Sequence, residues 1–464
     1  MHKKKIFNIV FVVFIGIAII LSFSLAGCKN ASPAETTAAE TTATAAETTA
    51  AETTAAAETT VAAEPVELVF WMPVAQDDPH IALFAEIDKY MKEKYNISVK
   101  FEGQSMDAWS ELLTTAGMSQ TGPDLLFDWS GQAAVIADAK KNLFQPLNDI
   151  LPDGMYDQVS GWAGSTDIDG KIYAVPYDLA YAGLAFNKSL FDKAGIDYSD
   201  FPKLLYWEDF IDICSKLKAA GINPIGFANK EGYYGEWWIA STIPSYFDTN
   251  AEMAEYFKSS SMNTQPMLDV LEKYKTLYDE GYFLKEGLTL DHTNNTQQLF
   301  ISEKVAMQYS SPLYYKTYAD ALGADKVGVA YWPNFSSEGA LSKNMVGIYN
   351  HVIGVTPWTE HPEEALLVLQ ELCATDWGAE NVNKIIGSTP SFKGWKADFT
   401  EETDWTKYVK SVVELLSKGE AGSYAYDTWD AEFASSIYKF NGLFLSGDMT
   451  AEEFAKELDA ARGM

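Results

Sequence analysis

Three cysteines and five histidines in 464 residues leave little material for redox or metal chemistry. Cys28, Cys214 and Cys373 form no C-x-x-C pair, and His80, His292, His351 and His361 lack the close spacing of a zinc site. No metal and no cofactor is therefore expected. Nucleophile-elbow and phosphate-loop motifs are also missing. Positive charge is scarce: 34 Lys and Arg stand against 65 Asp and Glu, for a net charge of −31. That balance excludes nucleic acid, a polyanionic ligand and electrostatic docking on anionic lipid. Cys214 and Cys373 each sit in an apolar helical pattern, FIDICSKL and VLQELCA, which favours buried free thiols over a disulfide.

What is present begins with Lys3, Lys4 and Lys5, followed by an almost unbroken apolar run over 6–26. These are the n-region and h-region of a secretory signal. The run is nearly long enough to span a bilayer, so a retained anchor is the alternative. Leu25-Ala26-Gly27-Cys28 resembles a bacterial lipobox, which implies cleavage before Cys28 and lipid on its thiol. Residues 1–28 are thus assigned to signal and lipidation site. The segment 29–65 is almost wholly Ala, Thr and Glu in a loose AETTA repeat. With no apolar face to bury, it reads as a disordered acidic tether, a helical stalk being disfavoured by its Thr pairs.

About 400 residues follow, enough for two domains of usual size. Residues 67–71 form a strand, 81–95 a helix, 97–101 a strand, 106–118 a helix, 124–129 a strand and 132–141 a helix. Such alternation implies a parallel sheet with right-handed crossovers, and ligands bind beyond the carboxyl ends of such strands. Those ends carry Trp71 with Gln76, Asp77 and Asp78, then Gln104, then Asp128 with Trp129. Flat rings beside planar hydrogen-bonding groups suit a sugar, whose C–H face packs on aromatics while its hydroxyls seek carboxylate and amide partners. With 13 Trp and 25 Tyr, however, most rings must pack the core.

The stretch 167–196, DIDGKIYAVPYDLAYAGLAFNKSLFDKAGI, organises the rest. An Asp-Gly turn leads to a strand over 171–176, a Pro-containing bend with Tyr177 and Asp178, and a second strand over 182–186. Asn187 and Gly195 are cap residues of the short helix between them. Further on come a helix over 207–220, a short strand over 222–227 and the aromatic cluster Tyr233, Tyr234, Trp237, Trp238. Ser310 and Tyr314 end the strand 305–309, and 327–331 and 345–355 are strands, the latter carrying Asn350 and His351.

The 167–196 stretch resembles the hinge signature of the family 1 extracellular solute-binding proteins, the maltose-binding-protein-like receptors of carbohydrate ABC importers. LFISEKVAMQYSSPLYY, VGVAYWPNF and GIYNHVIGV ahead of HPEEALLVLQEL agree in order, over roughly 66–464. The resemblance implies an α/β, type II periplasmic-binding-protein-like fold whose two lobes have parallel-rich sheets and share a multi-crossover hinge. It implies a first lobe of 66–176 plus 334–388 and a second of 177–333 plus 389–464. Ligand contacts are expected from Trp71, Gln76, Asp77, Asp78, Gln104, Asp128, Trp129, Tyr177, Asp178, Tyr233, Trp237, Trp238, Ser310, Tyr314, Asn350 and Trp429. The implied role is a monomeric, extracytoplasmic, lipid-anchored receptor that passes a carbohydrate, an oligosaccharide rather than a single sugar, to membrane permease subunits. A secreted glycosidase stays open, because Asp77, Asp78, Asp128, Asp178 and Glu236 offer carboxylate pairs. So does a same-fold receptor for iron or phosphate, against which the scarcity of clustered His, Tyr and Arg speaks.

Overall fold

A computed structural model describes residues 65–74, 78–106, 108–167, 169–418 and 421–464. Cys28, Gln76 and Asp77 lie outside them. The described residues fall in one unit, Ala63–Met464. The first strands are β1 (Val66–Pro73), β2 (Ile97–Gln104) and β3 (Leu125–Trp129). They pair in parallel in the order β2-β1-β3, as the alternation of patterns requires. In β1, Leu68, Phe70 and Met72 point into one core. The intervening Trp71 faces the other side of the sheet, as period-two alternation dictates. Helices His80–Tyr95 and Pro362–Cys373 pack on the first face, and helix Trp109–Ser119 on the second.

β4 (Ala174–Tyr181) joins the same sheet, and β5 (Gly183–Asn187) leaves it for a three-stranded sheet. The expected bend at 176–181 is therefore corrected: it is a strand, buried at all eight positions, and its aromatics are covered rather than exposed. Sandwiched between two strands, it gains backbone pairing that a bend would forgo. The crossing point is Ala182. Beyond it, Asn187 caps helix Lys188–Lys193 by accepting from the Leu190 amide, and Gly195 takes the left-handed conformation (φ 66°) that ends it.

β6 (Met307–Ser310) and β7 (Val327–Tyr331) flank β5 in antiparallel pairing. β8 (Met345–Val355) returns to the first sheet between β3 and β4, antiparallel to both. β9 (Thr389–Pro390) pairs with β4, and β10 (Ala421–Ser423) pairs with β8. Residues 177–181, 389–390 and 421–423 thus belong to the larger sheet. The hydrophobic core around β5–β7 takes in residues from 181 to 341 and returns for 408–458, while the core of the larger sheet holds 68–177 and 353–386. The chain passes between the two cores three times.

One local reading changes. The segment 222–227 is not a strand of its own; Ile225 alone bridges Phe283 and Met307. The aromatic cluster at 233–238 opens helix Tyr233–Thr242. Both free cysteines are buried, Cys214 in one core and Cys373 in the other.

Candidate functional site

The register of β4 against β8 slips at one point: Pro176 faces Val352, whereas Asp178 faces His351. Tyr177 is the extra residue of a bulge, the setting in which a central strand tolerates proline. Both residues freed by the slip reach histidines. The Tyr177 hydroxyl lies 3.0 Å from His80 Nε2, and His351 Nδ1 lies 3.0 Å from each Asp178 oxygen. His80 Nδ1 in turn meets Asp78 Oδ1 at 2.6 Å. The Tyr177 ring stacks on His351 with centroids 6.0 Å apart. Burial pushes the Asp78 carboxyl up, but the hydrogen bond and charge of His80 outweigh it and hold the group below the usual carboxylate range. Asp178 follows the same balance, with His351 and Ser388 opposing burial.

At the end of β3, Trp129 is half-buried and edge-on to Phe127, with centroids 5.1 Å apart. Asp128 is 2 % exposed; its Oδ1 accepts from the Trp129 amide at 2.8 Å, and no donor reaches Oδ2. Burial, then the charge of Asp138, pushes this carboxyl well up. The Ser130 amide donates to the Asn350 carbonyl at 3.0 Å, so strand alternation runs past Trp129 and places Ser130 on the face of Asp128. Ser130 Oγ donates to Asp427 Oδ1 at 2.9 Å, linking residues 297 positions apart. Gly131 (φ 112°) is required beside it, because an added Cβ would come within 3.0 Å of the Asp427 Cα. Asn350 Nδ2 donates to the Gly161 carbonyl at 2.9 Å, while its buried Oδ1 has no donor.

The second core faces this end of the sheet with rings. Tyr233 and Trp237 are half-buried on their helix, one turn apart. They surround His292, at 5.1 and 4.8 Å between centroids. His292 Nε2 lies 3.3 Å from the Tyr314 hydroxyl and Nδ1 2.7 Å from Thr296 Oγ1. Burial lowers its pKa to about 4, so the imidazole is neutral at neutral pH. Burial raises the Tyr314 hydroxyl to about 12, and the charge of Asp78 adds to the shift. Glu236, 2 % exposed, accepts from the Tyr424 hydroxyl at 2.7 Å. Its carboxyl is pushed up to about 8 by burial and by Asp427; Asp427 itself is pushed up to about 7 by burial despite Ser130.

The structure thus brings Asp78, Asp128, Trp129, Tyr177, Asp178 and Asn350 to one end of the large sheet, with Tyr233, Trp237 and Tyr314 facing it. Gln104 closes β2, and Ser310, buried, donates to the Ser311 carbonyl at 3.1 Å. Three expected rings stand elsewhere. Trp71 lies on the sheet face shared by Leu126 and Asp128 but further back along β1, its Nε1 donating to Glu102 at 2.8 Å. Trp238 packs against Trp332 at 4.4 Å, and Trp429 against Phe433 at 5.0 Å, both fully inside the second core. Helical period explains Trp238: Tyr234 and Trp238 share the inward face, Tyr233 and Trp237 the outward one. Asp427, Tyr424 and His292 were not expected at the site, and no local pattern marks them.

Comparison with known proteins places this geometry. A model of the bacterial extracellular solute-binding proteins matches residues 78–375, and the chain belongs to that family. A binding protein of Brucella abortus is 26% identical over 306 residues, covering 64% of this chain and 70% of that one. The sn-glycerol-3-phosphate-binding periplasmic protein of the same organism is 26% identical over 145 residues, or 30% of this chain and 31% of its own length. Among solved structures, a chitin oligosaccharide binding protein matches with a TM-score of 0.72 at 21% identity, over 86% of this chain and 99% of that chain. The GacH receptor of Streptomyces glaucescens, studied with acarbose, matches at 0.66 and 17% identity, over 86% and 98%. The fold is the type II periplasmic-binding fold, and the family is extracytoplasmic. Among the described residues no helix is long and apolar enough to cross a membrane.

Proposed function

We propose that this chain is a lipid-anchored receptor that captures a sugar, an oligosaccharide rather than a monosaccharide, and delivers it to the permease of an ABC importer without chemically altering it. The observation that carries the reading is the pairing across the junction. Trp129 and a band of carboxyl and amide groups end the large sheet, and Tyr233, Trp237 and Tyr314 face them with half-buried rings. A sugar needs both surfaces, one to stack on and one to satisfy its hydroxyls. Three passes of chain between separate cores suit closure by hinge rotation, with 66–176 and 334–388 as the bulk of the first lobe and 177–333 and 389–464 as the bulk of the second, the strands 177–181, 389–390 and 421–423 joining the first lobe's sheet. Lipid on Cys28 supplies the membrane link that the acidic surface cannot.

Titration with a library of neutral mono- and oligosaccharides, followed by tryptophan fluorescence and small-angle scattering, tests the reading. Saturable binding with a smaller radius and no new reducing ends is expected. Released reducing ends would make the protein a glycosidase, and an unchanged radius at saturation would reject closure. The phosphate-bearing solute named for the Brucella relative suits this chain less well. Its single arginine, Arg462, is committed to the Ser260 carbonyl and Asp459 near the C-terminus.

A further inference from the structure

Beyond β10 the chain leaves the larger sheet for the second core, where Tyr424, Ala425 and Trp429 are buried. From within this segment Asp427 reaches back toward the first core. Its Oδ1 accepts from Ser130 Oγ at 2.9 Å, and its carbonyl accepts from the Gln132 amide at 3.4 Å. The loop 130–132 belongs to the other side. The Gly131 amide donates to the Gly164 carbonyl at 2.7 Å, Gln132 Nε2 to the Thr166 carbonyl at 3.3 Å, and the Asn350 amide to Ser130 Oγ at 3.2 Å. A segment of each core therefore meets the other away from the three chain crossings, directly after Trp129. Gly131 permits the approach, since a Cβ there would stand 3.0 Å from the Asp427 Cα.

This joint is thin. One neutral hydroxyl serves a half-buried carboxyl, the backbone bond is long, and no Lys, Arg or His pairs with Asp427 among the described residues. An ionised carboxylate loses more on being covered than one hydroxyl returns, and it regains water when the segments part. A neutral carboxyl carries no such penalty, and Ser130 can donate to it in either form. We propose that the contact of Asp427 with loop 130–132 is a proton-controlled latch between the lobes, made while Asp427 is neutral and released as it ionises. The carboxyl, pushed up to about 7, sets the release near neutrality. Because its pKa is higher with the joint made, closing takes up a proton and is lost as pH rises through that value. The titratable groups around it are Tyr424 and Tyr426 on its own segment, Asp128 on β3, Glu236 on helix Tyr233–Thr242 and Tyr438 on helix Ala431–Ser446. All are acids or phenols, so ionisation of any of them acts in the same sense. The inference rests on the hinge reading and is independent of which solute is bound.

Small-angle scattering of the full chain without sugar, from about pH 5.5 to about pH 8.5, tests it. The radius is expected to rise with pH, with a midpoint near about 7. Asp427→Asn, which keeps an acceptor for Ser130 but cannot ionise, should hold the low-pH radius throughout. Glu236→Gln should retain the transition. Gly131→Ala, which sets a Cβ against the Asp427 Cα, should show the larger radius at every pH. Where strain at its φ of 112° prevents folding, Ser130→Ala serves, with a larger radius at the acid end. A wild-type radius that stays flat or falls overturns the latch. So does a transition that survives in Asp427→Asn or vanishes in Glu236→Gln. Sugar titration at fixed pH decides the receptor reading separately, because none of these outcomes involves a solute.

Discussion

Two sets of acids meet at the same junction and behave in opposite ways. Asp78 and Asp178, on the β1 and β4 side, are each matched to a histidine and held below the usual carboxylate range. Glu236 and Asp427, on the other side, have only hydroxyl donors and are pushed up to about 8 and about 7. Residue type and burial are similar, so the partner decides. The first set is finished by the protein and acts as structure. The second accepts only from the neutral hydroxyls of Tyr424 and Ser130, which do not offset burial of a charge.

The largest expected effect breaks the first set. His351→Ala leaves Asp178 as a fully buried carboxylate without its partner, and should cost about 3 kcal/mol in urea unfolding. Glu236→Gln, by contrast, should cost less than about 1 kcal/mol, since the replacement keeps an acceptor for Tyr424 and removes an acid that already favours its neutral form. Equal losses would erase the distinction. Next in size, Trp237→Ala and Trp129→Ala should each weaken sugar binding about tenfold while the folded protein retains its circular dichroism. Unchanged affinity in both would move the stacking surface elsewhere.

The smallest effect is in pH dependence. Groups with raised folded pKa, here Glu236 and Asp427, keep protons in the folded state that the unfolded chain has released. Their contribution to stability therefore falls as pH rises from the ordinary carboxylate range to about 8. Asp178, held low, contributes in the opposite sense and is lost only as pH falls below the ordinary carboxylate value. Unfolding midpoints across this range should decline toward alkaline pH in the wild type and decline less in Glu236→Gln. A wild-type midpoint that rises through the same interval contradicts the assignment.

Much of the scaffold was legible because it is written locally. The β1–β3 alternation, the Asn187 cap, the return strand 345–355 and the burial of both thiols follow from periodicity and capping residues close in sequence. The site was less legible because it is assembled from afar. Pro176 suggested a bend, but β8 and β9 on either side of β4 turned it into a bulged central strand. Trp237 and Trp238 are adjacent in the chain and only their helical setting separates a junction ring from a core ring. Asp427 meets Ser130 across 297 positions, a contact no local pattern encodes.

The two thiols have a practical consequence. Cys214 reports on one core and Cys373 on the other, and burial makes each unreactive while its own core stays shut. Mass spectrometry of alkylated peptides would time the opening of each half separately in an unmutated molecule. A bound solute that welds the halves into one cooperative body would bring the two clocks to the same rate.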